Sequence, residues 1–152
     1  MATAYLTTPI GPVSVHETDG WITDVGWETG PEGQADSDLL ASALSQIADY
    51  FAGKRQVFDL PTKVRGSDLQ RAVCDRMSAI PFGETVTYGD IAKVLNRPAQ
   101  AIGQACGGNP IPIIIPCHRV LGAQGLGGFS AKGGVETKVA LLRHEGAAGL
   151  LI

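Results

Sequence analysis

Cys117 is followed directly by His118 and Arg119, and it ends an apolar, proline-bracketed run that begins at Asn109. Only the thiolate form of a cysteine attacks carbon; a nearby basic group favours that form and burial opposes it. Isoleucines set between prolines read as a short buried strand. The chain is therefore expected to carry Cys117 out of a dry strand and set it beside a base. On the Cys-His pair alone a core cysteine is the stronger reading, because free cysteine is among the most buried residue types. The other two thiols, Cys74 and Cys106, form no Cys-x-x-Cys pair and no zinc-type cluster with histidine. An odd count argues against a disulfide framework, and no metal site is expected.

The elements that must hold this stretch can be read from periodicity and punctuation. Residues 4–28 alternate as antiparallel strands, with Thr18-Asp19-Gly20 as a hairpin signal. Leu40, Leu44, Ile47 and Phe51 fall at helical spacing over 38–52, and Gln56 to Leu60 reads as a further strand. Ser67 can cap a helix to about Ala79, with Leu69, Val73, Met77 and Ile80 as its inner stripe. Thr87-Tyr88-Gly89-Asp90 has capping-box form and opens a short helix through Leu95. Asn96-Arg97-Pro98 breaks it, and a helix of small residues follows from Ala99 to Cys106. Two short helices about a tight turn fit a helix-turn-helix or a plain helical hairpin. A last helix, about Val135 to His144, is expected to carry Val139 and Leu142 inward.

The net charge of −3 hides an asymmetry. Residues 1–62 hold two basic and nine acidic side chains, whereas residues 63–152 hold ten basic and six acidic ones. The second part is thus compatible with modest phosphate contact, as an ordinary solvated surface would also be. No apolar stretch approaches the ~20 residues that span a bilayer, so no membrane partner is expected. The N-terminus lacks a secretory pattern, and a cytoplasmic location is expected.

The wider string is more specific than the pair. Gly108-Asn109-Pro110 ahead of Pro116-Cys117-His118-Arg119-Val120 resembles the signature of the O6-alkylguanine-DNA alkyltransferases, the methylated-DNA–protein-cysteine methyltransferases. The resemblance runs from about Leu69 to Gly146. It takes in Ile80 to Tyr88, Arg97-Pro98-Ala99, Gly127-Gly128-Phe129-Ser130 and Leu141 to Gly146. It implies an α+β fold in two parts: residues 1–62, a small antiparallel sheet with a helix (RNase H-like), and residues 63–152, a mostly helical DNA-binding domain with a helix-turn-helix. The implied reaction is a single-use, irreversible transfer of an alkyl group from guanine O6, and less well from O4-alkylthymine, to Cys117. It needs no cofactor, and its partner is lesion-bearing double-stranded DNA met through the minor groove by a monomer.

The resemblance also implies roles. His118 would be the base, acting through a water, with Glu145 orienting it. Tyr88 would offer its hydroxyl to the purine, and Asn109 would brace the active-site turn. The Ser130 amide would meet O6, the carbonyls of Cys117 and Val120 would accept from the exocyclic amine, and Gly127 and Phe129 would line the pocket. Arg97, Ala99, Gln100, Ala101 and Ala105 would face DNA. Gln100 stands where the family usually has an arginine that fills the space left by the flipped base. That departure keeps open a non-catalytic damage-recognition module of the same fold. Arg119 reads as an internal ion-pair partner.

Overall fold

The structure is a computed structural model that describes residues 2–123, 125 and 134–147. It divides into two compact units, Met1–Arg65 and Gly66–Ile152.

In the first unit β1 (Ala2–Thr8), β2 (Gly11–Thr18) and β3 (Trp21–Gly26) form an antiparallel sheet in the order β1-β2-β3. Asp19 and Gly20 both take positive φ (52° and 82°), the signature of the tight turn whose twist matches a hairpin. Helix α1 (Asp38–Phe51), capped by the Ser37 hydroxyl, buries Leu40, Ala43, Ile47 and Tyr50. The sheet contributes Ala4, Val13, Val15, Ile22 and Val25 to the same core. His16 lies in β2 and bonds Thr3 Oγ1 at 2.7 Å across the sheet.

The segment Gln56–Leu60 is not a strand. The buried Gln46 amide takes over the bonds a neighbouring strand would have made: it donates to Asp59 O at 3.0 Å and accepts from Asp59 N at 2.8 Å. Only Thr62 pairs with the sheet, through a parallel bridge to Ile22. Arg65 then reaches Asp24 at 3.0 Å, which ties the chain to this unit as far as Arg65.

The second unit carries α2 (Asp68–Ser78), β4 (Val86–Thr87), α3 (Tyr88–Leu95), α4 (Ala99–Gly107), a 3-10 turn (Cys117–Arg119), β5 (Val120–Leu121) and α5 (Val135–Glu145). The capping box is complete, with Asp90 N donating to Thr87 Oγ1 at 3.1 Å and Thr87 N to Asp90 Oδ2 at 2.8 Å. α3 ends on Asn96 in the left-handed conformation (φ 54°). β4 and β5 pair in parallel, Val86 with Val120 and Thr87 with Leu121. The last helix is phased differently from expectation: Thr137, Lys138, Leu141, Leu142 and Glu145 are buried, and Val139 is only half-buried. No helix among the described residues is long and apolar enough to cross a membrane.

Candidate active site

The run from Asn109 to Pro116 is buried but is not a strand. Pro110, Pro112 and Pro116 have no N–H to give a ladder, so the remaining backbone groups close on themselves. Ile114 N bonds Pro112 O at 2.9 Å around Ile113, which sits at φ 71°, an outlying conformation for a β-branched residue. Ile115 N bonds Ile111 O at 2.9 Å. Pro116, at φ −81° and ψ 69°, makes an inverse γ-turn that brings Cys117 N to Ile115 O at 2.8 Å.

Asn109 clasps both ends of this knot. Its Oδ1 accepts from Ile111 N at 3.0 Å and its Nδ2 donates to Ile115 O at 2.9 Å. The Cys74 thiol approaches the same Oδ1 at 3.9 Å and is itself core. The knot delivers Cys117, His118 and Arg119 into one 3-10 turn, all buried.

His118 is fully buried, and its Nε2 lies 2.7 Å from Glu145 Oε2. Its Nδ1 is buried, with no hydrogen-bond partner among the described residues. Arg119 grips the same carboxylate with Nε to Oε1 at 2.8 Å and Nη2 to Oε2 at 2.9 Å, while its Nη1 donates to Ile80 O at 2.6 Å. Glu145 is the last residue of α5, released by Gly146 at φ 66°. Gly83 completes the cradle: its amide points at Glu145 Oε1 from 3.4 Å, in a turn that holds Gly83 at φ 83°.

Burial, partly opposed by the Asn109 hydrogen bond and by Lys138, pushes the Cys117 thiol up to about 11. Burial also lowers His118; the hydrogen bond and charge of Glu145 push it up, and Arg119 and Lys138 push it down. At rest the pair is therefore a thiol beside a neutral imidazole. Burial, with Cys106 and Cys117 nearby, raises the Tyr88 phenol, which keeps it a hydrogen-bond donor at neutral pH. Tyr88 is the first residue of α3 and is half-buried.

Lys138 went unnoticed in the sequence. It is fully buried, its Nζ donates to Val120 O at 2.7 Å and lies 5.8 Å from the centre of the Tyr88 ring. Burial lowers it, whereas Cys117 and Cys106 raise it. Its helical phase with Leu141, Leu142 and Glu145 was the available signal, since it places a cation on the inner face. Val120 O thus already has one partner, with a second lone pair remaining.

The structure brings Cys117, His118, Glu145, Asn109, Val120 and Tyr88 into one unit. Gly127, Phe129 and Ser130 lie outside the described residues. On α4, Ala99 and Gln100 are exposed, as is Arg97 just ahead of it, and Ala101 is half-buried. Ala105 is corrected to a core position: it is 7% exposed, and its carbonyl accepts from Gln70 Nε2 at 2.8 Å. A cleft of about 170 Å³ between Arg76, Ile80, Glu84, Ile91 and Val94 is lined by none of the chemistry-bearing side chains above. Among the described residues no group of three His, Cys, Asp or Glu could hold a metal ion.

A buried thiol, a histidine pinned by a carboxylate and a neighbouring phenol define a group-transfer site built on a cysteine acceptor. Comparison with known proteins narrows the class. The family models for the 6-O-methylguanine DNA methyltransferase ribonuclease-like domain and DNA binding domain match residues 1–64 and 68–147. A methylated-DNA–protein-cysteine methyltransferase of Mycolicibacterium paratuberculosis is 43% identical over 123 residues, covering 79% of this chain and 70% of its own length. One from Methanosarcina acetivorans is 36% identical over 154 residues, covering 95% and 97%. The crystal structure of Mycobacterium tuberculosis OGT in complex with DNA superposes with a TM-score of 0.81 at 36% identity, covering 95% of this chain and 92% of that one. The chain belongs to the 6-O-methylguanine DNA methyltransferase family.

Proposed function

We propose that the protein repairs O6-alkylguanine in double-stranded DNA by moving the alkyl group onto Cys117, once per molecule. The observation that carries this reading is the His118–Glu145 bond beside Cys117, with His118 Nδ1 buried and without a partner among the described residues. Glu145 accepts at Nε2, which fixes the proton there and leaves the Nδ1 lone pair to take a proton, directly or through one water.

The thiol stands at about 11 and the imidazole below its ordinary 6.5. Burial thus favours the thiol and the neutral imidazole over the separated charges. The proton instead leaves as the bond forms. Cys117 Sγ attacks the alkyl carbon in line, the S–C bond forms as the C–O6 bond breaks, and the electron pair passes to the guanine. Tyr88 donates a hydrogen bond to the purine as it gains negative charge, and the buried Lys138 ammonium stabilises the developing thiolate. The carbonyls of Cys117 and Val120 accept from the exocyclic amine, with Ser130, Phe129 and Gly127 closing the pocket. A thioether has no good leaving group, so the molecule is spent. O4-alkylthymine reacts by the same route, less well.

The target carbon is out of reach in a stacked duplex, so the base has to be flipped. The α3–α4 pair acts as the helix-turn-helix, placed in the minor groove. Its outer face, with Ala99, Gln100, Gly103 and Gln104, is small and uncharged, and nothing lies within 4 Å above Gly103 or Gly107. That supports close backbone approach and reading of shape. Arg97 supplies a phosphate contact, and Gln100 takes the space of the flipped base. Cys117, His118, Glu145, Asn109 and Tyr88 all come from one chain, which supports a monomer. The acceptor must stay reduced, which supports a cytoplasmic setting.

The test is mass spectrometry after incubation with duplex DNA carrying O6-methylguanine. One added methyl group on the Cys117 peptide is expected, and none in Cys117→Ser. A gel shift without an adduct would instead support the recognition module. Several product molecules per protein would overturn single use.

A further inference from the structure

Arg119 makes three charge-assisted or buried hydrogen bonds at the site, yet the transfer reading gives it no task. Its guanidinium is 6% exposed and held from two sides: Ile80 O takes Nη1, and the Glu145 carboxylate takes Nε and Nη2 as a fork. The Phe82 ring lies against it, 5.8 Å from centroid to guanidinium carbon. Guanidinium is always charged, and a carboxylate that receives two of its N–H groups and one imidazole N–H is ionised.

The carboxylate has two opposed effects on His118. It pins the Nε2–H tautomer, which the reaction needs. Unopposed in a dry site, it would also favour the imidazolium, and a protonated ring cannot accept a proton. The groups facing the ring are Glu145 and Lys138 from α5 and Arg119 from its own turn; only Glu145 favours protonation. Lys138 is already engaged with Val120 O and the thiol side of the site. Arg119 is the cation set directly on the carboxylate.

We infer that Arg119 is a positioning residue for the transfer: it fixes the Glu145 carboxylate and cancels its charge, so that His118 keeps the pinned tautomer yet remains neutral. The inference rests on the alkyl-transfer reading. Arginine suits the task better than lysine, because the fork locks the plane of the carboxylate that His118 must meet.

The experiment compares single-turnover transfer from an O6-methylguanine duplex across pH for the full-length protein, Arg119→Met and Arg119→Lys. In Arg119→Met the carboxylate charge is unopposed, so His118 is protonated to higher pH. The ratio of variant to parent rate should then fall at least ~tenfold on going from alkaline to mildly acidic pH, a displacement of about one unit. Arg119→Lys keeps the charge and loses the fork, so its rate should drop by one factor at every pH. A folded Arg119→Met whose profile is only scaled down would overturn the inference and leave a purely structural clamp. If Arg119→Met does not fold, the imidazole of His118 can be followed by nitrogen NMR in the parent protein. A neutral ring with its proton on Nε2 at neutral pH is expected, and a protonated ring overturns the inference. Parent protein that forms no adduct at any pH would instead refute the transfer reading itself.

Discussion

Replacing Lys138 by Met tests the electrostatics of the acceptor most directly. The lysine is fully buried and hydrogen-bonded to Val120 O at 2.7 Å. Together with the Asn109 hydrogen bond it pulls down a thiol that burial has pushed to about 11. A thiol at that value is ionised to only ~10⁻⁴ at neutral pH. An opposite charge a few ångströms away is worth roughly one to three pKa units. Its loss should therefore cut the ionised fraction ten- to a thousandfold, by order of magnitude. The sign follows: without the cation both the thiol and His118 rise, so the thiol yields its proton less readily, the base stays protonated to higher pH, and the acid limb of the transfer rate moves upward. Methionine is unbranched and only one heavy atom shorter than lysine, so it fills most of the same space. The variant leaves the Val120 carbonyl short of a partner, at ~1–3 kcal/mol. That loss is partly offset because a cation no longer has to be buried. The assay is the single-turnover rate of S-methyl formation from neutral pH to about pH 10, with a thermal melt to establish folding. At least a tenfold loss at neutral pH, shrinking toward alkaline pH, is expected. A folded Lys138→Met that transfers at the parent rate at neutral pH would refute the reasoning.

Other perturbations have equally definite outcomes. Asn109→Ala strips the Ile111 N–H of its partner in the core, at ~1–3 kcal/mol, and removes one of two bonds to Ile115 O, which keeps Cys117 N; a urea midpoint should fall accordingly, and transfer should slow even with free O6-benzylguanine, because the knot behind Cys117 loosens. Thr87→Ala removes the α3 cap and should cost about 1 kcal/mol. The hydrogen bonds from Thr87 hold the Asp90 carboxyl below its usual 3.8. The stabilisation from this depressed acid is full above that value and is lost as pH falls through the lowered one; because the Thr87 backbone N–H survives Thr87→Ala and the cap bond from Asp90 N to Thr87 Oγ1 does not titrate, the two melts should draw closer in strong acid without meeting. Gln100→Arg should steepen the salt dependence of duplex binding, by a slope of ~0.9 for one added phosphate contact. It should speed transfer from duplex but not from free O6-benzylguanine; equal effects on both would place Gln100 away from DNA.

Features that depend on neighbours along the chain were readable directly. The hairpin at Asp19-Gly20 and the Thr87/Asp90 capping box stand in the structure, as do Leu40 and Ile47 on α1 and Val73 and Met77 on α2, whereas Leu44, Phe51 and Leu69 are only half-buried and Ala43 and Tyr50 take the inner face of α1. The family resemblance also paired His118 with Glu145, and the two bond across 27 positions of sequence. What failed were the two strand readings, where prolines or a side chain replaced the expected ladder. Ile111 to Ile115 look like a strand because burial and β-branching favour one; the prolines and the Asn109 clasp make it a knot instead. Gln56 to Leu60 lost its ladder to a single glutamine side chain on α1.

The sequence by itself determined where the helices begin and, through the family resemblance, which cysteine, histidine and acid to look for together. Only the tertiary structure decided that Lys138 is buried beside the acceptor and that Arg119 shares the carboxylate of Glu145 with His118. The physical reason is that a charged side chain is spaced along a helix like any other surface residue. Whether it is dry and what it faces are set by contacts between elements far apart in the chain, and in this protein those contacts fix the protonation of the site.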